Sequence, residues 1–389
     1  MAAFLSLLAF VVLLLFAIFF HEFGHFITAR WAGIKASKFF IGFGPTIWST
    51  RRGRIETFVG PDGATHSRPE TEFGVKAFPV GGFVKIVGMS PAEEVSPEDE
   101  PRSFNAAPRW KRAIVLSAGS ASHFITAFVV LFLILTIGGS PDINHPSLRV
   151  DLIVNKLENG KPSPAVLAGL KPGDKIVAID HQTVSKWEQA ANTIKASPNK
   201  TLDFTVLRSG RDVDLSVRPA LQKNDQGKEV GFVGVQPFFP NKRLNPVTAV
   251  GTSGRAMGSL VGEFFHRVPS AFSPHTLGLT GGKGPTSDRP FSIIGAGRLA
   301  TDLASHGHIA DFLLLFVEIN IFVAIFNMLP LPPLDGGHLA VLLIEKIRGK
   351  PVDQRALIPV MAVVLSVLLL LALLLGYYDI TAPIKIPGP

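Results

Sequence analysis

The sequence predicts a polytopic α-helical membrane protein, with four transmembrane helices and an α+β globular domain inserted between the second and third. Three observations carry this. The 389-residue chain is 47% hydrophobic and 17% charged, with a mean hydropathy of +0.33. Its apolar residues concentrate in four runs close to the about 20 residues a helix needs to cross a bilayer. Between the second and third runs lies a long stretch of ordinary globular composition.

The runs extend from about Ala3 to Thr28, Ala113 to Ile137, Phe312 to Leu331 and Ala356 to Leu375. They place spans at 1–29, 113–138, 311–338 (with the motif that follows the third run) and 356–376. The first run holds no charged side chain from Phe4 to Phe20, has no basic segment before it and no small-x-small site after it. It is expected to stay as a span and not to be removed as a signal peptide. Ser117, Ser120, Ser122 and His123 interrupt the second run, and Glu318, Asn320 and Asn327 the third. Such groups are expected to face other helices, not lipid.

Charge sets the expected orientation. Thirteen Lys and Arg lie between Arg30 and Arg112, and Lys346, Arg348, Lys350 and Arg355 follow the third span. The positive-inside rule puts loops 30–112 and 339–355 in the cytoplasm. The N-terminus, the domain at 139–222, the linker at 223–310 and the tail at 377–389 then lie outside. A net charge of +8 fits this topology beside anionic lipid. No basic–aromatic stripe is present, so no nucleic-acid partner is expected. The absence of cysteine excludes disulfides, thiolate metal sites and cysteine catalysis.

The first run ends in His21-Glu22-Phe23-Gly24-His25. On a helix, positions i and i+4 lie about 40° apart, so the two imidazoles share a face and can grip one zinc ion. Glu22 beside them can take a proton from water. A pair of interfacial histidines with a snorkelling glutamate is the plainer alternative. Against it stands the cost of an ionised group in a bilayer centre, roughly 2.5–3.5 kcal/mol on insertion scales. At 1.5 Å per residue from the outside, His21 lies roughly 30 Å deep, near the cytoplasmic face.

Zinc catalysis usually uses three protein ligands and one open position. The best further candidate lies at the far end of the third run, in Asn327-Met328-Leu329-Pro330-Leu331-Pro332-Pro333-Leu334-Asp335-Gly336-Gly337-His338. The prolines break the helix before Asp335, and the glycines permit a tight turn after it.

With this second motif the chain resembles the site-2 protease family of intramembrane zinc metalloproteases, and within it the bacterial RseP-like branch with an inserted PDZ domain. The resemblance implies that His21, His25 and Asp335 bind Zn2+ and that Glu22 is general base and acid. It implies that Asn327 meets the substrate or the developing oxyanion, with Pro330 of the same motif on the substrate side. The stretch Gly74 to Lys85, with its Pro79-Val80-Gly81-Gly82 break, resembles the family's membrane-associated β-hairpin. Gly81, Gly82 and Phe83 would then meet an extended substrate segment by β-augmentation; an ordinary cytoplasmic hairpin is the alternative. The family's G-P-x-x-N pattern in the second span reads Gly119-Ser120-Ala121-Ser122-His123 here. His123 is a polar contact in place of the Asn, a group that tunes the zinc water, or a packing residue.

Ala168 to Asp180 resembles a PDZ core within the 139–222 domain, with Asp180-His181 where Asn-Gly is usual, which weakens the case for a type I′ turn. The implied role is a peptide or substrate contact; a structural domain without ligand is the alternative. Apolar residues from Ala249 to Val268 repeat at helical spacing, for a helix on the outer membrane surface or against the PDZ domain. Pro91 to Pro101 reads as a solvated acidic linker, His306 and His308 as surface residues, and Gly281-Gly282-Lys283-Gly284 lacks P-loop spacing.

The expected function is hydrolysis of a peptide bond in or beside a transmembrane segment of a membrane-anchored protein. The resemblance suggests an anti-sigma factor or a remnant signal peptide in a bacterial plasma membrane. A di-iron membrane oxygenase would need several histidine boxes, and this chain has one. A PDZ-bearing membrane scaffold with a relict or metal-sensing box is the non-enzymatic alternative, and the intact Glu22 argues against a relict.

Overall fold

The computed structural model describes all residues except 1, 60–64, 90–94, 143, 158–159, 224–228, 278–288, 306–308, 351 and 384–389. The glycine-lysine run at 281–284, His306 and His308, and the start of the acidic linker lie outside the described residues. The chain divides into two compact units, one of residues 1–134 with 246–386 and one of 135–245.

The first unit opens with helix α1 (Ala2–Ala32), followed by β1 (Ala36–Val59) and β2 (Thr65–Ile86). Helix α2 (Arg109–Leu133) continues through a π-turn at Ile134–Gly138. Four described helices are long and apolar enough to cross a membrane: Phe4–Ala32, Arg109–Gly138, Ile309–Asn327 and Ile358–Thr381. They correspond to the four expected spans, with shifted ends. The third stops at Asn327 and not at Leu331, because the chain turns through Met328–Leu334. The fourth runs to Thr381, so 377–381 is helix and not tail.

β1 and β2 do not form the local hairpin expected at 74–85. Phe40 is paired with both Gly74 and Phe83, and Phe39 with both Phe73 and Val84. The segment 38–41 is thus central, with 72–75 on one side and 82–85 on the other. The chain bends at Gly42 and Gly44, both with positive φ, and crosses over at Pro79 to Gly81. Proline cannot donate to a ladder, which suits a crossover and not a paired strand.

The second unit contains β3 (Ser140–Pro141), β4 (Val150–Ile153), α3 (Pro164–Leu167), β5 (Lys175–Ile179), β6 (Gln182–Thr183) and α4 (Trp187–Lys195). It continues with β7 (Leu202–Arg208), β8 (Arg211–Val217), β9 (Ala220–Lys223), β10 (Glu229–Phe232), β11 (Val235–Pro237) and β12 (Asn241–Lys242). The main sheet has the order β6-β5-β7-β8. Val150, Ile176, Phe204, Val206 and Val217 fill its core at 0% exposure. The unit reaches beyond residue 222, because β11 pairs with β4, β12 with β3, and Val233 joins the core. Asp180 and His181 both take positive φ between the paired Ile179 and Gln182, so a two-residue type I′ turn forms without the Asn-Gly pair.

Among the described residues five α-helices follow: α5 (Pro246–Ala271), α6 (Ile293–Ser305), α7 (Ile309–Asn327), α8 (Asp335–Arg348) and α9 (Ile358–Thr381). The apolar stripe of α5 (Met257, Leu260, Val261, Phe264) packs on Ala127 and Leu131 of α2 and Val317 and Ile321 of α7. The sequence left this helix either on the outer membrane surface or against the inserted domain; its described apolar contacts are with two spans. The 339–355 loop is largely the helix α8. At the end of α9, Asp379 accepts from Ser292 N–H and Gly295 N–H at the start of α6 and pairs with Arg289 at 2.6 Å. A carboxylate at a helix N-terminus satisfies donors that would otherwise be orphaned.

In the second unit, Asp174 is 1% exposed and takes a two-pronged bond from Arg208, 2.7 Å on each prong, plus the Lys171 N–H at 2.8 Å. Burial works against the charged carboxyl, but these bonds hold it below the usual carboxylate range. A group whose folded pKa is depressed contributes stability above its unfolded pKa, about 3.9, and loses it as pH falls toward the folded value. Asp174→Asn should cost this unit about 2 kcal/mol at pH 7 and much less below pH 4. Thermal melts of the full chain, read by proteolysis within 135–245, test this.

Candidate metal centre

The centre begins with the register of α1. His21 and His25, one turn apart, point the same way, and their Nε2 atoms lie 3.3 Å from each other. From the other end of the chain, Asp335 Oδ2 lies 3.6 Å from His21 Nε2 and 3.3 Å from His25 Nε2. Tetrahedral coordination at bond lengths of about 2.0–2.1 Å puts neighbouring donors roughly 3.3–3.4 Å apart. The three donors therefore already stand at the spacing zinc requires. Oδ2 of Asp335 is buried and accepts no hydrogen bond. A buried carboxylate oxygen with no donor is costly unless a cation meets it. Two imidazoles and a carboxylate suit zinc by chemistry as well as spacing.

Each donor is held by its surroundings. His25 donates from Nδ1 to the Val115 carbonyl at 2.8 Å, which leaves Nε2 as its metal-facing nitrogen. That carbonyl belongs to α2, and so does the space for both rings. A Cβ on Gly119 would lie 2.4 Å from His25 Nε2 and 2.5 Å from His21 Cε1. Gly24 of the motif does the same for the helix pair, since its Cβ would lie 2.6 Å from the Ala118 carbonyl oxygen. Asp335 opens α8, where the helix dipole favours a carboxylate. The next two glycines are not a turn, as the sequence suggested, but the first turn of that helix. A Cβ on Gly336 would stand 2.2 Å from the Met328 carbonyl oxygen, and one on Gly337 2.2 Å from Pro332 N. Close approach, not left-handed backbone, is what demands glycine here. Further along α8, Glu345 pairs with Arg112 of α2 at 3.4 Å and fixes the helix against the same neighbour.

Glu22 faces β2. Its Oε2 accepts the Val84 N–H at 2.9 Å. The fields of both His25 and Asp335 act on it, which puts it within electrostatic reach of the cluster. Gly82 lies against α1 at Ile18 and Glu22, where a Cβ would come within 3.1–3.2 Å of their side chains. Strand segment 82–86 is thus seated beside the glutamate. Gly81 and Phe83 belong to the same segment, with Phe83 stacked on Phe40 and Phe43. Asn327 ends α7 half-buried, and Pro330 is exposed in the turn beyond. Neither is bonded to the three donors.

Other polar residues of the spans divide. Asn320 is fully buried and meets His123. Glu318, open in the sequence between a polar contact of spans and a residue at a water-filled rim, lies on the exposed side of α7 within the field of Glu263 and Arg267 of α5. The residues that sequence reasoning missed are Val115, Val84 and Gly119. The first two act through backbone atoms and leave no side-chain signal. Gly119 acts through the side chain it lacks.

Gly119→Ala should stabilise an isolated helix by up to about 1 kcal/mol. Here it should instead abolish metal binding, because the methyl group occupies the space of both imidazoles. Zinc content of purified protein, with helicity followed by circular dichroism, distinguishes the two effects.

Comparison with known proteins shows the family. Residues 9–371 match the model of Peptidase family M50. The chain is 31% identical to zinc metalloprotease Rip1 of Mycobacterium tuberculosis strain H37Rv, over 98% of both chains. It is 30% identical to zinc metalloprotease Rip1 of Mycolicibacterium smegmatis, again over 98% of both. A solved PDZ domain of the SdrC-like protein from Listeria innocua, 17% identical, aligns with 25% of this chain and 99% of its own at a TM-score of 0.19, too low to bear on fold. The resemblance to site-2 proteases first carried by two short motifs thus extends along nearly the whole sequence, and the chain belongs to peptidase family M50.

Proposed function

We propose that this chain is a zinc metalloendopeptidase that cuts a membrane-anchored protein within or next to its transmembrane segment. The observation that carries the reading is the meeting of Asp335 with His21 and His25 at the end of an apolar helix, beside Glu22. The zinc named for the Rip1 relatives fits the donor set. His21, His25 and Asp335 would hold it, leaving one position open. Bound there, zinc supplies a Lewis acid and lowers the pKa of water toward about 7.

The chain's own residues do the rest. Glu22 takes a proton from the attacking water and returns it to the leaving amine. Its bond to Val84 N–H orients the carboxylate. A peptide bond inside a helix is shielded by its own hydrogen bonds, so the substrate must be extended before it is cut. Strand segment 82–86, with Gly81, Gly82 and Phe83, would take the extended segment as an added strand and present it next to Glu22. Asn327 and Pro330 would meet the substrate from the end of α7, with the Asn327 amide as a donor to the developing oxyanion.

Charge in the loops supports an orientation with the N-terminus outside and the centre near the cytoplasmic face of a bacterial plasma membrane. On that reading the 135–245 unit is extracytoplasmic, a PDZ-like domain that meets peptide ends or strands of substrates already trimmed outside. Anti-sigma factors and remnant signal peptides are the substrate classes proposed.

Glu22→Gln should keep zinc and lose turnover by about 10²–10⁴-fold or more, because it removes the proton carrier but no ligand. Cleavage of a panel of single-span substrates by purified protein, alongside zinc analysis, tests this. Trapping by the same variant in membranes should accumulate anchored stubs. Wild-type cleavage by Glu22→Gln would refute the general-base role. Asp335→Ala should lose both zinc and activity; full zinc occupancy in that variant would remove Asp335 from the ligand set.

A further inference from the structure

An open groove between α1 and α2 takes no part in the mechanism above. Its volume is about 820 Å³, and Phe20, Phe23 and Ile27 of α1 line it together with Ile114, Ile125 and Val129 of α2. Pockets that hold small molecules measure roughly 300–1,000 Å³. Both helices are long and apolar enough to cross a membrane, so lipid is the medium that meets the groove. Three hydroxyls on its wall are spent within their own helices. Ser117 Oγ donates to the Ala113 carbonyl at 2.9 Å, Ser122 Oγ to the Gly119 carbonyl at 2.6 Å, and Thr28 Oγ1 to the Gly24 carbonyl at 2.8 Å. A peptide backbone in lipid needs partners for its polar groups, and these hydroxyls have no donor left to give. An acyl chain needs none.

One end of the groove has a different chemistry. Trp31 stands one turn beyond Ile27, and Trp110 one turn before Ile114. Both are more than half exposed, and their rings meet edge to face at 5.9 Å. Lys111 Nζ lies 5.7 Å from the Trp110 ring and donates to the Ala32 carbonyl at 3.0 Å. Arg109 is exposed one turn before Ala113. Among the described residues neither cation is paired with a carboxylate. Indole rings at the end of a span sit at headgroup level, and basic groups beside them attract anionic lipid. The groove itself is lined by no charged residue, so the positive charge stands at this end alone. We propose that the groove is a site for one anionic phospholipid, with an acyl chain laid between α1 and α2 and the phosphate held by Arg109 and Lys111 beside the Trp31–Trp110 pair. On the orientation proposed above, that end lies in the cytoplasmic leaflet, whose surface potential is negative. Gly24 and Ala118 line the groove, and their chain neighbours His25 and Gly119 belong to the metal centre, so a seated chain braces the helix pair from behind. The proposal rests on the two spans crossing a bilayer and not on the metal chemistry.

The test uses the full-length protein in mixed micelles of detergent and rising amounts of lipid. Trp48→Phe and Trp187→Phe leave Trp31 and Trp110 as the reporters among the four tryptophans. The probes are phosphatidylglycerol and phosphatidylcholine with the same brominated chains, which quench indole fluorescence on contact. Phosphatidylglycerol should quench saturably, with an apparent affinity about 10–30-fold above that of phosphatidylcholine, as two cations facing a net negative headgroup imply. Arg109→Gln combined with Lys111→Gln should erase that ratio. Ala121→Phe fills the groove from an exposed position and should abolish saturation for both lipids at unchanged helicity. If that variant does not fold, the charge substitutions decide alone. Equal affinity for the two lipids, a ratio that survives the double substitution, or quenching that never saturates would overturn the proposal. Displacement of the brominated lipid by inorganic phosphate would reassign the cations to a free anion. Displacement by a single-span peptide would reassign the groove to a substrate helix. Either result would overturn it as well.

Discussion

Three candidate ligand atoms, Nε2 of His21, Nε2 of His25 and Oδ2 of Asp335, stand 3.3–3.6 Å apart. Two come from the end of the first apolar helix and one from a position more than three hundred residues later. A cation bound there would meet the buried Asp335 carboxylate oxygen and both imidazoles. Much of the surrounding architecture serves to hold it. α2 supplies the Val115 carbonyl and the gap at Gly119. The loop before α8 packs so closely on Gly336 and Gly337 that only glycine fits. The Arg112–Glu345 pair ties α8 back to α2. α2 is thus the common wall against which both halves of the centre are set.

The second constraint is the seat of the β-segment 82–86 on α1. Gly82 touches the Glu22 stem, and Val84 N–H binds its carboxylate. The side chain proposed to carry protons and the strand edge proposed to carry substrate therefore share one contact. On the proposed function, docking a strand there and orienting the base would be coupled. A bulkier residue at 82 would disturb both together.

The readable part of the sequence was the part governed by local rules. Four apolar runs gave four helices, and helical spacing put His21 and His25 on one face. Asp335 was found through a motif, since no spacing rule joins positions so distant. What escaped was set by tertiary contact. The crossing of 72–75 and 82–85 to opposite sides of 38–41 leaves no mark in a pattern of alternation, which would be the same for a plain hairpin. The strands after residue 222 are too short to carry a period, and they belong to the inserted unit only because β4 and β3 need partners. By residue type the glycines after Asp335 suggest conformational freedom, whereas their role is to have no Cβ. α5 showed its amphipathic stripe, but nothing in the stripe says that spans two and three will cover it.

The central claim is most directly tested by X-ray absorption at the zinc edge of the purified protein. Two imidazoles, recognised by their outer-shell scattering, and additional oxygen donors at about 2.0–2.1 Å are predicted, with one imidazole lost in His25→Ala and one oxygen donor altered in Asp335→Ala. Zinc bound without imidazole scattering, or a spectrum unchanged by either substitution, would contradict it.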